Sequence, residues 1–302
     1  MTFTGKGGKT IRIYRWEPET NHIEGVVQIS HGMVEHALRY ERLARDLTNK
    51  GYVVIANDHR GHGQTDPYFR GFIPEGDGFH LMTDDLNTLY LQIMKWYEEV
   101  PKYLVGHSMG SSLVLRLLQL YPLKPDGVIL SGPPDPSAGL LREGAIVAGL
   151  LGFFFVRSAQ SPLLNRLMFS KARSRFKPQR TQSDWLTRDR KEVDKYLKDS
   201  ACGFICSNSF YRDFFNGLRA VYSKKNLALI DPAIPFYLLA GSEDPIANAN
   251  KGINELCSLL YQSGIDRQTL KIYPDGRHEM FNELNREEVT DHLISWIKNQ
   301  RQ

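Results

Sequence analysis

A serine lies between two glycines in the segment VGHSMGSS, residues 105–112. The apolar stretch KYLV precedes this segment and the helical pattern SLVLRLLQLY follows it, so the serine falls where a strand becomes a helix. Glycines at positions 106 and 110 permit a turn too tight for side chains, and such a turn directs the Ser108 hydroxyl out of the carboxyl end of a sheet. We interpret Ser108 as a nucleophile. The alternative is a glycine-containing turn that happens to carry serine.

A serine hydroxyl is a weak nucleophile, so it needs a base that an acid orients. Among the nine histidines, His278 follows the last predicted strand and is expected at the same sheet edge as Ser108. His107 is adjacent to the serine and is expected to point elsewhere on the turn. His22 and His292 lie at surface-like positions. His278 is therefore the candidate base.

The candidate acid is Asp244, in the loop AGSEDPIA that directly follows a late strand. Glu243 and Asp275 are weaker candidates, and Asp275 could instead serve as a turn residue before a glycine. The chain order serine, aspartate, histidine is the order expected when a sheet of this type carries a catalytic triad.

An acyl-transfer site also needs donors for the oxyanion. The segment QISHGMVEH, residues 28–36, is a strand that enters a loop at Gly32, where backbone can approach a substrate closely. The N–H groups of Met33 and of Met109, just after the nucleophile, are the expected donors. Taken alone, His31 and Gly32 favour a simple turn.

Strands alternate with helices around these segments, and the near-continuous apolar strands indicate a parallel sheet covered on both faces. The predicted strands are 10–16, 25–30, 52–58, 102–106, 126–132, 234–241 and 269–274. The predicted helices are 38–50, 82–100, 109–121, 247–263 and 286–299. In helix 82–100 the early acidic residues suit the positive end of the helix dipole.

The character of the sequence changes after Gly132, where PPDPSAG leaves the sheet. Roughly ninety residues with helical patterns and no clear strand follow, which is too long for an ordinary loop. We predict an α/β core of residues 1–132 and 226–302, with a helical cap inserted at residues 133–225.

Six segments together resemble the α/β-hydrolase fold and, within it, the monoacylglycerol lipase and lysophospholipase family, with its serine aminopeptidase-type hydrolase domain. They are HGMVEHALRY, NDHRGHGQT, GHSMGSS, LTRDRKEVDKYLKDSACGF, LLAGSEDP and YPDGRHEMFNE. The resemblance implies a triad of Ser108, Asp244 and His278, oxyanion donors at Met33 and Met109, and an acyl chain held under the cap. At Ser111 the family commonly has a further glycine.

The resemblance implies a serine hydrolase that cleaves carboxylic esters of single-chain acyl lipids through an acyl-enzyme, without a cofactor. A general carboxylesterase, a thioesterase or an aminopeptidase would use the same residues, and a non-catalytic binding protein is the remaining alternative. Gly32, Glu35 and Arg39 could bind a polar head group such as glycerol. A surface or structural ion pair explains Glu35 and Arg39 equally well.

Composition excludes further classes. A net charge of +4 is too mild to indicate nucleic acid. Three cysteines without a paired framework, and no apolar leader, indicate a cytoplasmic protein, with a membrane-peripheral position as an extension. The loop histidines lack metal-ligand spacing, so no metal is expected; they are His31, His36, His59 and His62.

Two segments of the predicted cap bear on transient contact with a membrane surface. The apolar run Gly144–Val156 could line an acyl tunnel, touch lipid or pack on the core. The basic run 170–180 could meet anionic head groups, or be a solvated loop.

Overall fold

The computed structural model describes residues 1–20, 22–137 and 156–300. Eight strands form one sheet in the order β1-β2-β4-β3-β5-β6-β7-β8. They are β1 (Thr2–Thr4), β2 (Thr10–Trp16), β3 (Gly25–Ser30), β4 (Tyr52–Asn57), β5 (Lys102–His107), β6 (Gly127–Ser131), β7 (Phe236–Gly241) and β8 (Gln268–Tyr273). The pairs β1–β2 and β2–β4 are antiparallel and the others are parallel, which confirms the predicted sheet.

Helices cover both faces of this sheet, as predicted. They are α1 (Glu41–Thr48), α2 (Gly78–Trp96), α3 (Met109–Leu120), α4 (Pro162–Arg175), α5 (Arg190–Lys198), α6 (Asn208–Val221), α7 (Lys224–Leu227), α8 (Asn250–Gln262) and α9 (Arg286–Asn299). Helices α2, α3, α6 and α8 contribute to one apolar cluster, and α1 and α9 contribute to another. Strands β3 to β7 are buried along their whole length because they lie between these layers.

The start of α2 differs from the prediction. The helix begins at Gly78, because the Asp77 side chain caps it by accepting hydrogen bonds from the amides of Phe79 and His80 at 3.0 and 3.2 Å. Asp84 and Asp85 consequently lie beyond the first turn, and the dipole argument for them is wrong. Asp85 is instead held by the buried Arg60 guanidinium, with Nε to Oδ2 at 2.6 Å.

Helices α4 to α7 lie between β6 and β7 in the chain. Helices α4 to α6 fall within the predicted cap, whereas α7 crosses its predicted end at residue 225. Helix α6 packs against α2 and α3, and Phe210, Phe214 and Leu218 from α6 belong to the main apolar cluster. The division at residues 133–225 therefore stays a prediction. The apolar run Gly144–Val156 lies outside the described residues except for its last residue. Among the described helices, none combines the length and apolar character that a membrane span requires.

Candidate active site

Ser108 occupies the turn between β5 and α3 with φ 51° and ψ −119°, a conformation that L-residues rarely adopt. A Cβ on Gly106 would lie 2.5 Å from the Ser111 Cα, and a Cβ on Gly110 would lie 2.0 Å from the Ser30 carbonyl oxygen. These distances leave no room for any side chain. The two flanking glycines therefore permit the sharp turn that lifts the serine into the cavity described below.

His278 and Asp244 form a buried pair at the same edge of the sheet. The carboxylate accepts the Nδ1 hydrogen bond at 2.9 and 3.0 Å, and its Oδ1 also accepts the amide of Ile246 at 2.8 Å. Because the carboxylate can only accept here, Nδ1 carries the proton and Nε2 is left as a base. Burial disfavours charge on the imidazole, but the Asp244 carboxylate outweighs it and raises the pKa of His278.

The structure brings Ser108 to the same cavity as His278, and Ser108 is partly exposed there. Within the described residues no hydrogen bond joins the two side chains. Such bonds commonly tighten only when substrate binds. Glu243 lies instead in an exposed ion pair with Arg175, and Asp275 occupies a turn with φ 58°.

Gly132 supports the His278–Asp244 pair, a role that the sequence analysis missed. It has φ +53°, and a Cβ there would lie 3.0 Å from His278 Nδ1 and 3.1 Å from Asp244 Oδ2. In sequence it was only a glycine at the end of a strand. Its closeness to both side chains is a tertiary contact without a local pattern.

The loop after β3 lies against the serine turn. A Cβ on Gly32 would lie 3.3 Å from the Ser108 Cβ. Met109 is the first residue of α3, so its N–H has no acceptor inside the helix. The Met33 N–H likewise has no backbone acceptor among the described residues. Both amides are thus available as donors beside Ser108.

Two buried histidines fix the backbone on either side of Met33. His31 Nδ1 donates to the Gly32 carbonyl at 2.7 Å, and His62 Nε2 accepts the Val34 amide at 3.1 Å. The second ring nitrogen of each is also engaged, at 3.0 Å for His31 and 2.9 Å for His62. Burial lowers the pKa of His31 to about 4 and that of His62 to about 3. Both rings are therefore neutral near pH 7.

Glu35 and Arg39 form a buried ion pair, so the ion-pair alternative for them is a structural pair and not a surface one. Arg39 binds Glu35 at 2.7 Å and also binds Glu279 in a forked pair at 2.6 and 2.7 Å. Burial would raise the pKa of Glu35, but the Arg39 cation outweighs it and lowers that pKa to about 2. Glu35 also accepts the Gly32 amide at 2.6 Å. The cluster ties the loop after β3 to the residue that follows His278.

His107 does not point away from the site as expected. Its ring centroid lies 4.7 Å from that of His278, and its Nδ1 bonds to the Ser131 carbonyl at 3.1 Å. Burial lowers the pKa of His107 to about 4, so it adds no charge beside His278 near neutral pH.

These side chains surround a cavity of about 730 Å³. One part of its wall is apolar, and its members include Leu164, Met168, Phe214, Phe215 and Leu218. Charged side chains also reach it, and these are Glu35, Asp135, Glu279 and Lys171. A long apolar wall beside the partly exposed Ser108 side chain suits a ligand with a hydrocarbon chain.

Among the residues that the structure describes, one cluster of side chains offers metal-ligating atoms. His36, Asp199 and Cys202 place their ligand atoms within 4.8 Å of one another, between the loop after β3 and the loop after α5. The His36 Nε2 and Asp199 Oδ2 atoms are 2.7 Å apart in a hydrogen bond. That bond already gives both side chains a partner.

The chain matches a family profile described as "Serine aminopeptidase, S33" over residues 21–285. The chain belongs to this hydrolase family. The monoacylglycerol lipase of Mycolicibacterium smegmatis is 27% identical, over 98% of this chain and 95% of that protein. The monoglyceride lipase of Rattus norvegicus is 30% identical, over 93% of this chain and 83% of that protein. These matches confirm the resemblance stated from the sequence.

The fold of this S33 hydrolase is also that of solved relatives. A thermostable carboxyl esterase from Bacillus coagulans, crystallised with glycerol, superposes with a TM-score of 0.91 at 25% identity. The alignment covers 99% of this chain and 97% of that one. The α/β-hydrolase fold predicted from the sequence is therefore confirmed.

Proposed function

We propose that this protein hydrolyses carboxylic esters of single-chain acyl lipids, with monoacylglycerols as the first candidates. One observation carries the proposal: Ser108 and His278, which Asp244 binds from behind, line one cavity whose wall continues as a set of apolar side chains. The names of the relatives, lipases and an esterase, support ester over amide chemistry.

In the proposed reaction, the Ser108 oxygen attacks the ester carbonyl carbon while its proton passes to His278 Nε2. The amides of Met33 and Met109 hold the oxyanion. The imidazolium then protonates the leaving alcohol, and an acyl-serine remains. Water attacks this ester with His278 again as the base, which releases the fatty acid and restores the serine. Asp244 holds the imidazole in the required tautomer throughout, and no cofactor takes part.

The cavity wall supports the assignment of the two ends of the substrate. The apolar side chains from α4 and α6 would take the hydrocarbon chain. Gly32, Glu35 and Glu279 lie around the oxyanion loop and would face the alcohol part. Because Arg39 is engaged by both carboxylates and does not line the cavity, its proposed role is to position Glu35 and Glu279 rather than to bind glycerol itself.

The first experiment is fatty-acid release from matched monooleoylglycerol and lysophosphatidylcholine, by wild type and by Ser108→Ala. Release from either lipid that disappears in the variant supports the proposal, and the ratio identifies the preferred head group. Ser112→Ala is the matched control, since its buried hydroxyl contacts Tyr222 at 3.3 Å and is expected to have no part in the reaction. Short esters cleaved without release from either lipid would contradict the lipid substrate. No labelling of wild type by a fluorophosphonate probe would favour a silent binding protein.

We also propose transient contact between helix α4 and lipid surfaces. Leu163 and Leu167 on this helix are each 54% exposed. Within the basic run, Arg175 and Arg180 are already paired with Glu243 and Asp194. That leaves fewer free cations than the sequence suggests, so the apolar side chains carry the contact.

Leu163→Ser with Leu167→Ser should lower partition onto phosphatidylcholine vesicles. The control pair Lys171→Gln and Lys177→Gln should change partition only on anionic vesicles. Unchanged partition of the leucine variant would contradict the proposed contact.

A further inference from the structure

The indole of Trp185 lies against the imidazole of His278. The two ring centroids are 5.3 Å apart and the planes are inclined by 37°. Trp185 also lines the cavity that holds Ser108. A cation within about 6 Å of an indole centroid is attracted by the negative face of the ring. His278 becomes such a cation in the proposed reaction.

We propose that Trp185 is a positioning residue that fixes the His278 ring and stabilises its protonated form. The inference rests on the proposed function for its catalytic consequence, but the contact itself does not. Nothing in the segment SDWLTRD pointed to it, because residues 183–189 lie in the predicted cap, far along the chain from residue 278.

Backbone and side-chain bonds fasten the Trp185 segment to the His278 loop. The Glu279 amide donates to the Leu186 carbonyl at 2.7 Å, and the Thr187 hydroxyl donates to the Asn282 carbonyl at 2.9 Å. Arg188 donates to both carboxylate oxygens of the fully buried Glu283, at 2.9 Å each. The indole and the imidazole therefore sit on two segments that are joined immediately after the ring contact.

A second ring fixes the plane of the indole. Phe169 on α4 stacks on Trp185 with centroids 5.5 Å apart and planes 25° apart. The Arg173 guanidinium lies 5.7 Å from the Phe169 centroid. Helix α4 thus reaches the His278 imidazole through a single intervening side chain.

Other charged or titratable groups face His278 as well. Asp244 binds Nδ1, Glu279 and Glu35 are nearby carboxylates, and His107 lies beside the ring. Each is retained in the Trp185 variants, so these variants test the indole alone. When Ser108 transfers its proton to Nε2, the new positive charge has the Asp244 carboxylate hydrogen-bonded at Nδ1 and the indole against the ring. Removing the indole should lower the pKa of His278 and weaken the transition state.

The test is the pH profile of kcat/KM for p-nitrophenyl butyrate, a soluble ester, in Trp185→Phe and Trp185→Leu. We expect the acidic limb of Trp185→Leu to move to lower pH by about one unit. Its plateau should fall roughly three- to thirtyfold. Trp185→Phe keeps an aromatic face, so the position of its acidic limb and the height of its plateau should stay close to those of wild type. Trp96→Phe, at an exposed residue of α2, is the control and should match wild type. If the acidic limb of the Trp185→Leu profile stays in place or moves to higher pH, the proposal is overturned.

Fluorescence gives a readout that needs no substrate. Protonated imidazole quenches an indole on contact. The fluorescence of Trp185 is the difference between the emission of wild type and that of Trp185→Phe. This difference should decrease as His278 becomes protonated. That titration should vanish in His278→Gln. Emission from Trp185 that does not change with pH in the wild type overturns the proposal. A clear titration together with no cleavage of any ester would instead refute the proposed function and leave the contact intact.

Discussion

At the scale of single residues, the backbone of Ser108 stores strain. A non-glycine residue with φ 51° and ψ −119° costs roughly 1–3 kcal/mol, so its surroundings must enforce it. The enforcing contacts are backbone contacts: Gly110 faces the Ser30 carbonyl, and the Ser108 amide donates to the Ser131 carbonyl at 2.9 Å. Ser108 is therefore held by the sheet and the loop after β3 together.

Gly110→Ala should disturb this arrangement. The new Cβ would lie 2.0 Å from the Ser30 oxygen and 2.6 Å from the His31 oxygen, and neither backbone atom can rotate away. We expect a loss of about 1–3 kcal/mol in unfolding free energy and a strong fall in the labelling rate with a fluorophosphonate. Urea unfolding and timed labelling measure the two effects.

Gly264→Ala is the matched control for Gly110→Ala. Gly264 also has positive φ, +93°, but nothing lies within 4 Å of its Cβ position. It should destabilise by about 1–2 kcal/mol through backbone strain and leave labelling unchanged. Equal labelling by both variants would contradict the steric argument.

The buried histidines predict an acid dependence of stability. The pKa of His62 is about 3 in the fold, against about 6.5 in an unfolded chain. Between these values the unfolded state binds a proton that the folded state does not, so stability falls as the pH is lowered below about 6.5. The slope is about 1.4 kcal/mol per pH unit for each such proton.

In His62→Gln, one proton fewer should be bound on unfolding between pH 6 and 4. The stability of the variant should therefore fall less steeply with decreasing pH than that of wild type. Urea unfolding of wild type and variant at several pH values between 6 and 4 measures the slopes. The variant should be less stable at pH 7, because the Val34 amide loses its imidazole acceptor. Parallel slopes would show that His62 is already protonated in the fold.

The site residues that the sequence alone points to are those with a local pattern. Ser108 has a strand, a glycine turn and a helix around it, and Asp244 and His278 each follow a strand. Gly132, Glu279 and Trp185 have no such pattern, because each matters through a neighbour distant in sequence. Their roles depend on packing that only the folded chain defines.

At the scale of elements, hydrophobic periodicity predicts the parallel strands and most helices to within a few residues. It misses β1, because three residues are too short to show alternation. It places the start of α2 four residues late, because an aspartate cap rather than an apolar repeat begins that helix. Hydrophobic periodicity also does not show that α6 packs on α2 and α3, because the apolar face of α6 would suit a separate cap equally well.

The His278 loop and the Trp185 segment should be coupled through Glu283. Glu283→Gln keeps one acceptor but removes the charge that Arg188 binds at 2.9 Å. We expect a loss of about 2 kcal/mol in unfolding free energy and a lower kcat with little change in KM. Urea unfolding and ester kinetics test this.

Glu243→Gln is the control for Glu283→Gln. It breaks the Arg175 pair, whose side chains are 38% and 44% exposed, and should cost less than about 1 kcal/mol. If the two variants were equally stable, the coupling through Glu283 would be refuted.

At the scale of the whole molecule, the charge of the cavity differs from that of the protein. The chain has a net charge of +4, yet the cavity wall carries the carboxylates Glu35, Asp135 and Glu279 against Lys171 alone. Arg39 lies behind the wall and binds both Glu35 and Glu279, but its single positive charge balances only one of the two negative charges. A substrate with an anionic head group therefore meets a repulsive wall whatever the overall charge.

Lysophosphatidic acid should consequently be a poorer substrate than the matching monoacylglycerol. With decanoyl chains below their micelle concentrations, we expect kcat/KM to be lower by at least about tenfold, which corresponds to about 1.4 kcal/mol of repulsion. Glu279→Gln should narrow that ratio because it removes one wall charge, whereas Glu98→Gln, outside the cavity, should not.

Added salt should narrow the ratio of the two rates less than Glu279→Gln does, since the cavity charges are buried and weakly screened. Equal rates for the two lipids in wild type would mean that the head group stays outside the cavity, with only the acyl chain and ester carbonyl inside.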